Sequence, residues 1–328
     1  MLRFITRRVG YMLVTLFVIS VISFIIIQLP PGDFVTSYVA QLQAQGELIE
    51  KDAIDALRAR YGIGRPIYVQ YMGWMSGILQ GDLGRSLQWN VPVVYLIKDR
   101  LPWSFTISLV SFLFVWAIGL PIGIYSATNQ YSLADYFATL LGFIGLAIPN
   151  FMIALVAIWI YFQRTGEVMV GLFSAEYIMA PWSIGKLVDL LKHLWIPALI
   201  TGTAGTAGLI RTMRANLLDE IHKPYVITAR AKGLTETRLL LKYPIRVALI
   251  PAVSTIGWVL PGLFAGELIT SFVMGIPTLA PIFLGALLNQ DMFLAGSIVL
   301  ILSTLTVIGT LISDVLLAWV DPRIKEAL

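Results

Sequence analysis

Cysteine is missing from all 328 residues, which excludes disulfide bridges, thiolate metal sites and a cysteine nucleophile. Histidine is almost missing: His193 and His222 are the only two, there is no His-Glu-x-x-His, and a zinc protease or a serine-histidine triad is hard to build from them. No Gly-x-x-x-x-Gly-Lys-Ser/Thr run occurs, so the chain does not hydrolyse ATP by that route. Charge is scarce as well. Asp, Glu, Lys and Arg make up 13% of the chain, against about 25% in an average soluble domain. The formal net charge of +4 is too small an excess to indicate a nucleic-acid partner. These absences leave no catalytic residues, cofactor site or metal site to name.

What fills the space is apolar. Hydrophobic residues make up 58% of the chain, above the roughly 45–50% of soluble domains, and they are gathered into long runs. A hydrocarbon core about 30 Å thick needs roughly twenty helical residues to cross. Six stretches meet that length: 9–29, 103–127, 136–162, 195–218, 247–269 and 292–319. The expected fold is an all-α polytopic membrane protein of six transmembrane helices. Arg3, Arg7 and Arg8 precede the first run and place the N-terminus in the cytoplasm. That run is too long for a signal peptide and has no small-residue cleavage site, so it reads as a retained span. One membrane domain, 1–328, is expected, with a five-span core over 103–320.

The polar segment 33–101 falls on the external side. Within it, Ala53, Ile54, Leu57 and Tyr61 recur at helical spacing, as do Tyr68, Tyr71 and Trp74, so two amphipathic helices are expected as a scaffold, the second along the membrane surface. Residues 163–194 are external again, with Trp182 and Trp195 as interface anchors and His193 as an exposed loop residue. Within the spans, Gly119 with Gly123, the run GTAGTAG over Gly202–Gly208, and Gly262 with Gly266 are expected to admit close helix neighbours. Pro149 and Asn150 interrupt the third span and free backbone groups in mid-membrane, either as a packing kink or as part of a pathway. Glu267 stands within the fifth span. Its position near the outer end suggests a solvated or paired residue, with substrate contact as the alternative.

The most basic short connection is 218–251. Lys223, Arg230, Lys232, Arg238, Lys242 and Arg246 outnumber Asp219, Glu220 and Glu236, which keeps it in the cytoplasm. Pro224 suits the first turn of a helix, Gly233 can take the left-handed conformation that ends it, and Thr235 can cap a second helix to about Tyr243. A helix, a glycine hinge and a further helix projecting from a membrane protein form a part that a partner can grip.

The run TARAKGL, closed by Pro251, resembles the coupling loop of permease subunits in binding-protein-dependent ABC importers, near the dipeptide and oligopeptide branch. PPGD at Pro30–Asp33, ARYG at Ala59–Gly62, GDLGRS at Gly81–Ser86, RLP at Arg100–Pro102 and DPRI at Asp321–Ile324 resemble that branch in order. The wider Glu-Ala-Ala pattern before the loop glycine reads Ile227, Thr228, Ala229 here, so no acid is carried over. The resemblance implies a B-type permease that moves peptides or similar small oligomeric solutes across the cytoplasmic membrane, with both termini cytoplasmic. It implies a second homologous permease, two ATP-binding subunits and an external solute-binding protein as partners. Tyr225, Val226, Ala229, Ala231, Gly233 and Leu234 would supply apolar and hinge contacts to an ATPase, and Arg230 and Lys232 would meet its acids. Pro149, Asn150 and Glu267 would lie on the pathway. Two alternatives stand beside this one. AGELITSFVMGIPTLAP departs from the peptide-type run, which admits an oligosaccharide importer, and Glu267 admits an ATP-independent carrier.

Overall fold

The structure is a computed structural model that describes residues 2–29, 35–36, 39, 43, 51–61 and 64–320. PPGD and DPRI lie outside the described residues. Every named element among those described is a helix. The chain divides into two compact units, one of Thr6–Trp103 with Thr278–Leu305, the other of Ser104–Pro277 with the two ends of the chain.

In the first unit, α1 (Leu2–Gln28) carries the exposed apolar side chains Leu13, Val14, Phe17, Ile22 and Ile26, the surface expected of a helix in lipid. Following α2 (Lys51–Tyr61), α3 (Ile67–Leu79) packs on the second half of α1. Phe24 stacks on Trp74 with ring centroids 5.4 Å apart, Tyr71 meets Phe24 edge-on, and the Ser20 and Tyr71 hydroxyls are 2.8 Å apart. Of the expected aromatic face only Tyr68 stays exposed. Tyr71 and Trp74 instead serve as the contact with α1.

The GDLGRS turn is fastened from below. The Ser86 hydroxyl and the Gln88 amide donate to one carboxylate oxygen of Asp291, and the Leu294 amide donates to the other. Asp291 is wholly buried, just ahead of α14 (Met292–Val320). It therefore caps a helix and holds a loop with one carboxylate. Val93 and Ile97 from the start of α4 (Val93–Thr128), Leu279 and Ile282 from α13 (Leu279–Leu288), and Leu294 and Ile298 form the core around it.

The second unit is built on α8 (Ile184–Ile221). Against it lie α5 (Leu133–Ala147), α6 (Asn150–Thr165), α11 (Pro244–Ser254) and α12 (Ile256–Val273), while α7 (Ala175–Ile178) is a short turn in the preceding connection. The small-residue stripes work largely as expected. A Cβ on Gly123 would lie 2.8 Å from Met213 Cβ, one on Gly119 would lie 3.1 Å from Leu209, and Gly202 and Gly205 both face Val115. Gly262 has open space beside it, so Gly262 and Gly266 do not form the expected packing pair. The close contact falls instead at Gly257, where a Cβ would stand 2.7 Å from Thr310 Cα. His193 also differs from expectation. It is helical, its side chain is 15% exposed, and its Nδ1 lies 2.9 Å from the Asp189 carbonyl.

Among the described residues three helices are long and apolar enough to cross a membrane, Thr6–Gln28, Val93–Thr128 and Met292–Leu317, and a pair bent at Ile148–Pro149 makes a fourth if it is counted as one span. These match the first, second, sixth and third expected spans. The fourth falls within α8, whose glycine–threonine run dilutes its hydropathy. The fifth is broken at Thr255 between α11 and α12. Six crossings are therefore not established by helix length and composition.

Gly257→Val should destabilise the second unit by about 1–3 kcal/mol, because the added atoms meet the backbone of Thr310. Gly208→Ala, with nothing within 4 Å of the new atom, should be nearly neutral. Thermal melts in detergent would separate the two.

Candidate functional site

The basic connection folds as a helical hairpin, α9 (Pro224–Ala231) and α10 (Glu236–Lys242). Pro224 occupies the first turn of α9, where its missing N–H costs no hydrogen bond. Lys232 ends the helix by donating its amide to the Thr228 carbonyl at 3.1 Å, and Gly233 follows at φ +80. An L-residue pays about 1–2 kcal/mol in that conformation and glycine does not. No atom would lie within 4 Å of a Cβ at Gly233, so the glycine is needed for backbone conformation alone. Thr235 holds the cap position of α10 but makes no side-chain cap bond.

An ion pair fastens the turn instead. Arg230 Nε donates to Glu236 Oε1 at 2.6 Å and its Nη2 to Oε2 at 3.1 Å, closing the hairpin across Gly233. The side-chain hydrogen bond from Arg230 holds the Glu236 carboxyl below its ordinary value of 4.5. Arg230 is thus engaged within the hairpin, and of the two cations expected to face a partner's acids, Lys232 is the exposed one without that tie.

The apolar residues divide in the same way. Val226, Ala229 and Leu239 are buried against one another, with Leu234, Leu240 and Tyr243 around them. Val226 and Ala229, expected to touch a partner, are instead the hairpin's own core, because spacing by three turns them to the side that faces α10. What the hairpin presents outward is Tyr225, Ile227, Ala231, Gly233 and Leu241. Ile227 and Leu241 are 54% and 59% exposed and did not stand out in the sequence. Tyr225 donates to Glu220 at 2.6 Å, and burial together with that carboxylate pushes its phenol above the ordinary range.

Beneath the hairpin, Leu240 also packs on a second cluster of Ala127, Met213, Leu217, Ile245 and Ala248. An unbroken apolar contact therefore runs from α9 and α10 to the ends of α4 and α8. The same stretch of α8 is tied to α5 by an ion pair that sequence reasoning missed. Arg214 donates through Nε and Nη2 to both oxygens of Asp135, each at 2.9 Å, and Asp135 is 2% exposed in the first turn of α5.

The expected pathway residues come partly together. Pro149 pushes Ile148 into an extended conformation (ψ 122), and the helices on either side of the break, α5 and α6, meet at 101°. Asn150 begins α6, and its amide nitrogen would lie 3.5 Å from a Cβ on Gly266. Glu267, next in sequence, is 1% exposed rather than solvated, and accepts from Ser104 at 3.1 Å and from Ser108 and Ser271 at 3.3 Å. Glu267 thus ties α12 to α4, shut away from solvent.

The chain matches two family descriptions along its length. Residues 119–326 match the inner membrane component of binding-protein-dependent transport systems, and residues 1–110 match the N-terminal part of such membrane components. It is 35% identical over 326 residues to the oligopeptide transport system permease protein AppB of Bacillus subtilis, covering 99% of this chain and all of that one. It is 29% identical to OppB, the oligopeptide permease of Haemophilus influenzae, over 99% of this chain and all of that one. The dipeptide permease DppB of Escherichia coli is also 29% identical, with 99% of each chain covered.

The Arg230–Glu236 closure should be sensitive to pH. Because the folded carboxyl titrates below its ordinary value of 4.5, the contribution is complete above 4.5 and is lost as the pH falls through the depressed value. With no native cysteine, paired spin labels at Ile227→Cys and Leu241→Cys can report the hairpin's spacing. The distance should hold from pH 7 to 5 and widen in stronger acid. Glu236→Gln should remove the acid transition.

Proposed function

The chain belongs to the inner membrane components of binding-protein-dependent transport systems, and from that premise we propose that it is the peptide-carrying permease subunit of an ATP-driven importer. The hairpin is the observation that carries this reading. It is basic, closed by its own ion pair, and continuous through Leu240 with the helix ends below it. A rigid projection of that kind can pass a displacement from a partner to the helices, as a two-state repacking requires. The partner would be an ATP-binding subunit seated on Tyr225, Ile227, Ala231, Lys232, Gly233, Leu234 and Leu241, with Val226 and Ala229 fixing the shape from inside and Arg230 fixing it from the surface through Glu236.

Peptide cargo is supported by the relatives, which are oligopeptide and dipeptide permeases. The assembly would contain a second homologous permease, two ATP-binding subunits and an external solute-binding protein, with both termini of this chain in the cytoplasm. Transport work then divides by chemistry. ATP is hydrolysed elsewhere, and this chain supplies the passage, with Pro149 and Asn150 at its bend and Glu267 exposed to it when α12 leaves α4.

Co-expression with the candidate ATP-binding subunits tests the hairpin. The two should co-purify in mild detergent, and peptide uptake into vesicles should stop on ATP depletion and survive collapse of the proton gradient. Gly233→Val should lower the closed-to-open ratio of the hairpin roughly 5- to 30-fold, in line with about 1–2 kcal/mol, and reduce uptake with it. Gly233→Asn, which tolerates the left-handed conformation, should keep most uptake. Equal uptake by the valine variant at normal expression would rule out the hinge role.

A further inference from the structure

A furrow between α5 and α8, within the second unit, belongs to neither the hairpin nor the bend. It holds about 340 Å³. Small residues make its floor, where a Cβ on Gly142 would lie 3.8 Å from that of Ala207, and Phe143, Leu146 and Ile210 stand beside them. The furrow opens outward on an apolar surface, with Phe143 58% and Leu146 49% exposed. Its wall on α5 runs from Ala138 to Leu146, a helical rise of about 12 Å. One leaflet holds roughly 15 Å of hydrocarbon. The furrow is therefore long enough to take most of one acyl chain lying along the helices.

Charge is confined to one end of it. Arg211 and Arg214 line the furrow and no acid does. Asp135 accepts from Nε and Nη2 of Arg214, each at 2.9 Å, which leaves that pair close to neutral. Arg211 stands one turn away on the same face of α8, exposed and with no anionic partner among the described residues. The excess is thus one positive charge, which one phosphodiester would balance, and a guanidinium fork suits phosphate oxygens. A basic rim at one end and an apolar slot leading away from it match the polarity of a phospholipid. A second hollow along the same two helices shows the contrast. It holds about 430 Å³ beside Ile118 and Leu199 and has no charged residue in its wall, so it gives no reason to choose among head groups. We infer that the α5–α8 furrow is a site for an anionic phospholipid, its phosphate on Arg211 and one acyl chain laid over Gly142 and Ala207 toward Leu146. A zwitterionic lipid brings a cation with its phosphate and meets Arg211 less well.

The test uses the complete transporter in nanodiscs of phosphatidylcholine, with a trace of phosphatidylglycerol that carries a photoreactive group on one acyl chain. Illumination and peptide mapping should place cross-links on Phe143 and Leu146, and unlabelled phosphatidylglycerol should compete them away. Arg211→Gln should lower that labelling about fivefold, the effect of one cation at a membrane surface, and leave any labelling of Ile118 and Leu199 unchanged. Arg211→Lys, which keeps the charge, should keep most of it. Arg211 is exposed and lies outside the Asp135–Arg214 pair, so both variants should melt with the unchanged protein. Equal labelling of the furrow in the glutamine variant, or equal labelling by photoreactive phosphatidylcholine, would overturn the assignment. Displacement of the label by inorganic phosphate would overturn it too, in favour of a site for a free anion. So would labelling of the isolated chain that vanishes in the complete transporter, which would give this surface to a partner subunit.

Discussion

Backbone amides and carbonyls in hydrocarbon find no water, so each must be satisfied within the chain or against a neighbour. Long helices meet the demand by themselves, and the described residues are built from them. The difficult places are those where a helix is interrupted. At Pro149 the break is absorbed by two extended residues and a 101° turn, and at Thr255 a helix ends and another begins at once. The same rule governs side chains. Glu267 is surrounded by serine hydroxyls, Asp135 receives both nitrogens of Arg214, and Asp291 takes one hydroxyl and two backbone amides.

Those three carboxylates serve one purpose in different places. Each lies where elements distant in sequence meet, and each replaces water with directed donors. A polar group satisfied in this way fixes a single arrangement, because any other leaves a buried group unmet. Apolar packing adds shape. Without a hydrophobic drive between helices in lipid, close approach through Gly119, Gly123, Gly202 and Gly205 supplies the contact.

The hairpin obeys a different physics, that of a small part projecting into water. Its eight- and seven-residue helices are too short to be stable alone. They are held by Val226, Ala229 and Leu239 inside, by the Arg230–Glu236 bridge across the turn, and by Leu240 below. That combination makes the hairpin stiff: to bend it would open its apolar core, part its bridge and pull Leu240 from the cluster below.

The sequence by itself determined the class of protein, the placing of its apolar runs, the helix-glycine-helix form of 218–251 and the left-handed glycine within it. Each rests on local rules: hydropathy over about twenty residues, proline in a first turn, glycine at a helix end. The small-residue stripe of Gly202 and Gly205 was legible for the same reason, and its neighbour Val115 was not. Only the tertiary structure decided which way each residue faces. Val226 and Ala229 turned inward, Arg230 was taken by Glu236, Glu267 was buried among serines, Tyr71 and Trp74 met α1, and the close helix contact moved from Gly262 to Gly257. Asp135, Arg214 and Asp291 gave no local signal at all. Their partners lie tens to hundreds of positions away, and a pairing across that distance is chosen by the packing of helices rather than by spacing along the chain.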